Sequence, residues 1–380
     1  MRNKPRVIAF YLPQFHPIPE NDEWWGKGFT EWTNVGKAKP LFPGHYQPRV
    51  PADLGYYDLR VPEVREEQAR LAKEAGIEGF CYYHYWFGSK NTPRELLQMP
   101  FNEVVKTGTP DFPFCLCWAN HSWAKNDWNS EISIFDKTIL VEQKYYGIED
   151  YTEHFYSLLD AFRDNRYIKI DGKLLFVVYN PENIPDVQEF IDCWNMLARK
   201  NNIGEFYFVA YYSYGKKELC SIDDFPYSLF KEKIYGMLPI LESQVVSSFH
   251  HKVRRYIRKI ISLVFNVPAF NFDYEAACQK LIPPIDNRND IIPEIISGFD
   301  HSPRTGRMRI ILTEFTPEKF RKHIRDMLSC VSNRNCNSTS LVFLKSWNEW
   351  GEGNYIEPDL KWGHAFLDVL REEINKSTVF

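Results

Sequence analysis

Short apolar runs alternate with amphipathic stretches along most of the chain. Residues 7–11, 79–87, 112–118, 174–179, 206–212 and 341–344 are rich in β-branched and aromatic side chains at consecutive positions. Such runs predict strands covered on both faces, as in a parallel sheet wrapped by helices. Weaker runs within 225–235 and over 291–296 predict a sixth and a seventh strand, which makes 341–344 the eighth. Stretches 62–75, 93–106, 150–162, 185–200, 316–328 and 362–374 place apolar residues at helical spacing among charges. Pro62 and Gly76 suit a helix start and stop, and Thr316-Pro317-Glu318 reads as an N-cap. Strand, exit loop and helix, repeated about eight times, predict an α/β fold of the (β/α)8 TIM-barrel type. The expectation is a single domain over 1–380 with long βα loops. An open doubly wound sheet would favour a glycine-rich phosphate loop after an early strand, and the chain has none.

In such barrels the site forms where the strands end. The exit after 341–344 reads Ser346-Trp347-Asn348-Glu349-Trp350-Gly351-Glu352-Gly353. Glu349 and Glu352 are three residues apart. Two acids at that spacing more often mark a solvated helix face. Here they follow an apolar strand in a loop rich in Trp and Gly, which gives the catalytic reading equal weight. A glycosidic bond needs one carboxyl to protonate the leaving oxygen and another to act as base or nucleophile. Trp347 and Trp350 would desolvate one of them and keep it protonated.

Other exits carry aromatic and polar side chains suited to sugar rings and hydroxyls. Candidate substrate contacts are Tyr11 after the first strand, Glu31 and Trp32 in the long loop from residue 14 to 51, and His84, Tyr85 and Trp86 after the second. Trp118, Asn120, His121 and Trp123 follow the third, Tyr179 the fourth and Asp300 the seventh; Trp347, Asn348 and Trp350 flank the acids. The competing reading of His84 is a core histidine among core aromatics, and of Asn120 a loop cap.

Composition narrows the classes. A net charge of −4 implies no general affinity for nucleic acid. Aromatic residues make up 16% of the chain, which fits a core with aromatic sugar platforms. Eight cysteines are scattered without a Cys-x-x-Cys pair, and the ten histidines form no His-x-x-x-His motif, so neither a metal nor a cofactor is expected. The start of the chain shows no signal-peptide pattern, and no apolar run reaches the length of a membrane span. The expected location is the cytoplasm. A basic stretch within 249–265 predicts a helical insertion. Residues 252–261 carry five positive charges beside one apolar face. Such a helix either packs on the barrel or touches the anionic inner face of a membrane.

Taken together, several ordered motifs resemble the WbsX-like polysaccharide-biosynthesis family, itself similar to glycoside hydrolase family 99. They are residues 9–16 (AFYLPQFH), 28–32 (GFTEW), 79–86 (GFCYYHYW), 118–121 (WANH), 298–304 (GFDHSPR), 347–353 (WNEWGEG) and 356–358 (IEP). The resemblance implies a (β/α)8 barrel and a retaining, endo-acting α-mannosidase-like mechanism. It assigns Glu349 to deprotonate or polarise a sugar 2-hydroxyl, which attacks C1. It assigns Glu352 to protonate the leaving oxygen and then activate the acceptor. Family 99 carries His between these acids where this chain has Gly351. The implied partner is an oligosaccharide or lipid-linked glycan, in O-antigen or other lipopolysaccharide or capsule synthesis. Three readings follow: a glycosidase or transglycosidase, a glycosyltransferase using an activated sugar, and a non-catalytic glycan-binding barrel.

Overall fold

The computed structural model describes residues 5–125, 138–212, 223–236, 270–282, 288–308, 310–332 and 339–377, with positions 257, 260 and 268. The predicted basic helix at 249–265 lies outside the described residues apart from isolated positions. Among the described residues, nine strands form the barrel wall: β1 (Arg6–Tyr11), β2 (Gly79–Trp86), β3 (Phe114–Trp118), β4 (Lys173–Val178), β5 (Phe206–Tyr212), β6 (Glu232–Tyr235), β7 (Ile291–Ile292), β8 (Glu294–Ile296) and β9 (Leu341–Lys345). Their order is β7-β6-β5-β4-β3-β2-β1-β9-β8, with every neighbouring pair parallel. β7 pairs with β6, and β8 pairs with β9, on either side of Pro293. They are one barrel position, the predicted seventh strand. Pro293 has no N–H to give a ladder, which accounts for the break. Its carbonyl still accepts from Phe343 N at 3.0 Å. The ring is therefore that of a TIM-type (β/α)8 barrel.

Helices cover the wall. They are α1 (Pro19–Trp25), α2 (Glu31–Lys37), α3 (Pro62–Glu74), α4 (Met99–Thr107), α5 (Ile148–Ser157), α6 (Leu159–Arg163), α7 (Val187–Lys200), α8 (Tyr274–Cys278), α9 (Ser302–Thr305), α10 (Pro317–Ser332) and α11 (Ala365–Ser377). α7 shows why the outer layer forms. Its Phe190 and Trp194 pack on Phe176 of β4 and Phe208 of β5, with ring centroids 4.7–6.3 Å apart. Burying each such side chain contributes about 1.5–3 kcal/mol.

Several boundaries differ from the pattern. The helix expected at 93–106 begins at Met99, because Glu95–Leu96 first folds back antiparallel on Tyr85 and Trp86. The helix expected at 150–162 is divided at Leu158, which leaves helical geometry. The long first loop contains α1 and α2, each seven residues, and its aromatic side chains pack them onto the barrel mouth.

Strand alternation sorts the side chains. Phe10, Tyr83, Tyr179 and Tyr211 face the lumen. Phe10 meets Tyr83, Tyr211 and Phe343 at 5.1–5.7 Å across the barrel, and Tyr179 stacks on Tyr211 at 4.6 Å. Residues one position away point into the helix layer.

Candidate active site

The loop leaving β9 is fixed by hydrogen bonds before any catalytic group is considered. Trp347 N donates to Phe10 O at 2.8 Å. The Asn348 side chain bridges both backbone groups of Leu12, at 2.7 and 3.0 Å. Ser346 Oγ accepts from Glu349 N at 3.0 Å and donates to Asn354 O at 2.6 Å. Trp350–Glu352 then form a single 3-10 turn ending at Gly353, whose φ of 56° is the left-handed region that favours glycine. A Cβ on Gly353 would also lie 2.7 Å from Asp300 Cβ. The loop is pinned at both ends, so its two acids are held rather than free to sample rotamers.

Glu349 and Glu352 come together with their carboxyl groups within hydrogen-bonding reach of each other. Glu349 is 3% exposed, and its Oε1 lies 3.3 Å from Lys345 Nζ. Lys345 also donates to Tyr83 OH at 3.0 Å. Burial pushes the Glu349 carboxyl up to about 7, with Glu352 adding to the rise and Lys345 opposing it. Burial is the largest influence on Lys345 and works against its charge, but Glu349, Tyr179, Glu352 and Glu294 together outweigh it and hold the ammonium above the ordinary lysine value.

Glu352 stands in a different field. Arg304 Nη1 donates to its Oε1, and His301 Nε2 lies 3.6 Å away. Burial opposes ionisation there too, yet Arg304 and His301 outweigh it and hold the carboxyl well below the usual range. Arg304 Nε donates in turn to Glu31 Oε1 at 2.7 Å. Glu31 is the first residue of α2 and is wholly buried. The Asp300 carboxylate accepts from Gln47 Nε2 at 2.6 Å and pairs with His45 Nε2 at 2.8 Å. Burial raises its pKa, but His45 and Arg49 prevail and depress it. Asp300 N donates to Glu352 O at 2.6 Å, which ties the β8 exit to the β9 loop.

Of the candidates read from sequence, the structure therefore brings Glu349, Glu352, Glu31 and Asp300 into one network. Tyr85 and Tyr179 face the same acids, whose charges help raise both phenols above their ordinary value after burial has done most of it. His121 stands at the rim, 6.0 Å from the Tyr179 ring.

The other candidates are placed elsewhere. Tyr11, His84, Trp86 and Trp118 point into the helix layer, opposite in phase to Phe10, Tyr83 and Tyr85. Tyr11 OH donates to Gln68 of α3 at 2.7 Å. His84 Nε2 meets His154 Nε2 of α5 at 2.9 Å, Trp86 donates to Asp150 at 2.9 Å, and Trp118 packs on His154 and Phe190. Burial keeps His84 neutral, with its pKa lowered to about 3. Asn120 caps the fourth exit: its Oδ1 accepts from Asn180 N and its Nδ2 donates to Asn180 O. Trp123 backs Tyr85 at 5.2 Å.

Trp347 and Trp350 are 0% and 1% exposed and present no free ring face to a sugar. Trp350 stacks on Tyr355 and packs at a tilt against Trp32, and its Nε1 donates to Glu357 at 2.6 Å. Trp347 packs against Phe80 at 5.4 Å. They position the loop, as Asn348 does. Sequence reasoning missed Lys345 and Arg304. Lys345 closes an apolar strand at a lumen position, which was the available signal; Arg304 stood in a quoted motif without a role.

Comparison with known proteins bears on the family and the fold. The family model described as "Glycosyltransferase WbsX" matches residues 7–370. Two proteins from Xanthomonas campestris pv. campestris, both called uncharacterized protein WxcX, are 35% identical over 376 residues. Those matches cover 98% of this chain and 50% of each relative, so the chain spans about half their length. Among solved structures, a glycoside hydrolase-like protein aligns at TM-score 0.57 and 16% identity, covering 98% of this chain and 95% of its own. The GH99 endo-α-mannosidase from Bacteroides thetaiotaomicron aligns at 0.54 and 13%, covering 100% and 99%. These two likenesses are of fold. Because the family model covers nearly the whole sequence, the chain belongs to the family described as Glycosyltransferase WbsX.

Proposed function

We propose that the protein cleaves or transfers glycosidic linkages with the Glu349–Glu352 pair, by a retaining mechanism, during cell-surface polysaccharide assembly such as O-antigen synthesis. Its substrate is an oligosaccharide or a lipid-linked glycan. The observation that carries the reading is the contact between two buried carboxyls whose surroundings drive their proton affinities apart. Divergent pairs of this kind mark acid and base. In the reading that the family 99 resemblance implies, one acid of such a pair serves the 2-hydroxyl and the other the leaving oxygen, which lie on opposite faces of the C1–C2 bond. The family description favours a second reading, transfer from an activated sugar donor.

The test has two arms. The protein is incubated with α-linked oligosaccharides, and separately with nucleotide sugars plus lipid-linked acceptors, and products are followed by mass spectrometry. Glu349→Gln and Glu352→Gln should each lower the activity found by about 10²–10⁴, the usual contribution of a general acid or base. Wild-type rates in both variants would remove the paired-carboxylate reading. Turnover confined to the nucleotide-sugar arm would select the second. A neutral membrane-flotation result with anionic vesicles would remove the proposed peripheral contact through residues 252–261. Among the described residues no helix is long and apolar enough to cross a membrane.

A further inference from the structure

Two neighbouring carboxyls resist ionising together, so below about pH 7, the value to which Glu349 is pushed, the pair holds one proton. Which residue carries it decides which one donates, and this question rests on the proposed reading of Glu349 and Glu352 as the working pair. Arg304 is the discriminating group. It reaches Glu352 through Nη1 and is anchored through Nε on Glu31 at 2.7 Å. Glu31 can come that close only because residue 351 has no side chain. A Cβ there would stand 1.5 Å from Glu31 Oε1 and 3.0 Å from Arg304 Nε. Glu349 has a weaker cationic contact. Its 3.3 Å from Lys345 is longer than the roughly 2.7–2.9 Å of a close charge-assisted bond, and Lys345 is shared with Tyr83.

We infer that the Glu31–Arg304 clamp, seated in the space left by Gly351, polarises the pair: Glu352 is the standing carboxylate and Glu349 carries the proton. His301, 3.6 Å from Glu352, acts in the same sense when protonated. Asp300 is neutralised by its own partners, His45 and Arg49, and meets Glu352 through its backbone N–H. Tyr85 and Tyr179 stay neutral phenols. The opposed shifts of the two acids support the same polarity. It is the reverse of the division implied by the family 99 resemblance, in which Glu352 delivers the proton.

In a transfer step the Glu349 O–H bond breaks as the leaving oxygen takes the proton and the electron pair of the C1–O bond. The sugar's own 2-hydroxyl forms the new bond to C1 from the opposite face and gives its proton to Glu352; the acceptor hydroxyl then attacks C1 and gives its proton to Glu349 while Glu352 returns its proton to the 2-oxygen, so C1 is retained. The pair ends with one proton, as it began. Glu31 touches neither carboxyl and is a positioning residue acting through Arg304.

Infrared titration of the substrate-free protein tests this without any assay of turnover. Glu349→Gln and Glu352→Gln are compared with wild type by difference spectra through the protonated-carboxyl C=O band. The expected pattern is a neutral-pH band lost in Glu349→Gln and kept in Glu352→Gln. Any other pattern overturns the polarity. Arg304→Gln should add a second protonated carboxyl, assigned by its loss in Arg304→Gln/Glu352→Gln; no added band overturns the clamp. Glu31→Ala should raise the Glu352 midpoint as Arg304 loses its anchor, and an unchanged or lowered midpoint overturns the role of Glu31. Failure of these titrations with product formation intact rejects the inference alone, whereas absence of any turnover with the expected bands rejects the enzymatic reading.

Discussion

Glu31 Oε1 lies 1.5 Å from the point where a Cβ on Gly351 would stand, so the two residues occupy one side-chain volume between them. Gly351→Ala should expel the Glu31 carboxylate from Arg304. Breaking a buried ion pair costs about 3–5 kcal/mol. Urea unfolding should show that loss for Gly351→Ala, and the double variant with Glu31→Ala should be no less stable than Glu31→Ala alone. Additive losses would mean that the two positions do not share space.

Lys345 is the cation that most opposes the upward shift of Glu349, ahead of Arg304. Lys345→Met should raise the Glu349 pKa further, by about one to three units, as expected for removal of a close opposite charge. With Glu349 as proton donor, the basic limb of the pH–kcat/KM profile should move to higher pH. A fixed limb would separate Lys345 from the acid.

Glu357 makes stability depend on pH. It is buried beneath Trp350, where burial pushes its carboxyl up to about 7 against the donors Trp350, Gln68 and Tyr57. A raised folded-state value means that the folded protein binds more protons than the unfolded chain between about pH 4.5 and 7. The contribution is complete below that window and disappears as pH rises through it. A shift of this size corresponds to on the order of 3 kcal/mol. Thermal melts of wild type should therefore fall relative to Glu357→Gln as pH rises from 4.5 to 7.

His84 belongs to the helix layer. His84→Leu leaves His154 Nε2 without its 2.9 Å partner, and an unsatisfied buried polar group costs about 1–3 kcal/mol. Stability should drop by that amount while kcat/KM changes by less than about twofold, within the scatter of a side chain that touches no substrate. A large kinetic loss at unchanged stability would return His84 to the site.

The sequence by itself determined the barrel and the address of its candidate site. Apolar runs at 79–87, 206–212 and 341–344 are buried on both faces, so their burial is local information that any reader of the chain possesses. The same is true of Glu349 and Glu352, three residues apart in a loop that follows such a run. What an all-apolar strand withholds is phase. With Tyr83, His84, Tyr85 and Trp86 all buried, nothing in the pattern says which side faces the lumen, and the fold turns His84, Trp86, Tyr11 and Trp118 into the helix layer. The tryptophans beside the acids misled for a related reason: a large amphipathic ring suits both a sugar platform and a buried brace, and only packing against Tyr355, Trp32 and Phe80 distinguishes them.

The tertiary structure alone decided the charge environment of the pair. Glu31 and Arg304 are 273 residues apart, and Tyr83 and Lys345 are 262 apart. Barrel closure brings the exits of β1, β2, β8 and β9 to one mouth, and electrostatic interaction falls off with distance through space, whatever the separation along the chain. Gly351 expresses both levels. In the sequence it is a missing side chain; in the fold it is the volume that the Glu31 carboxylate fills.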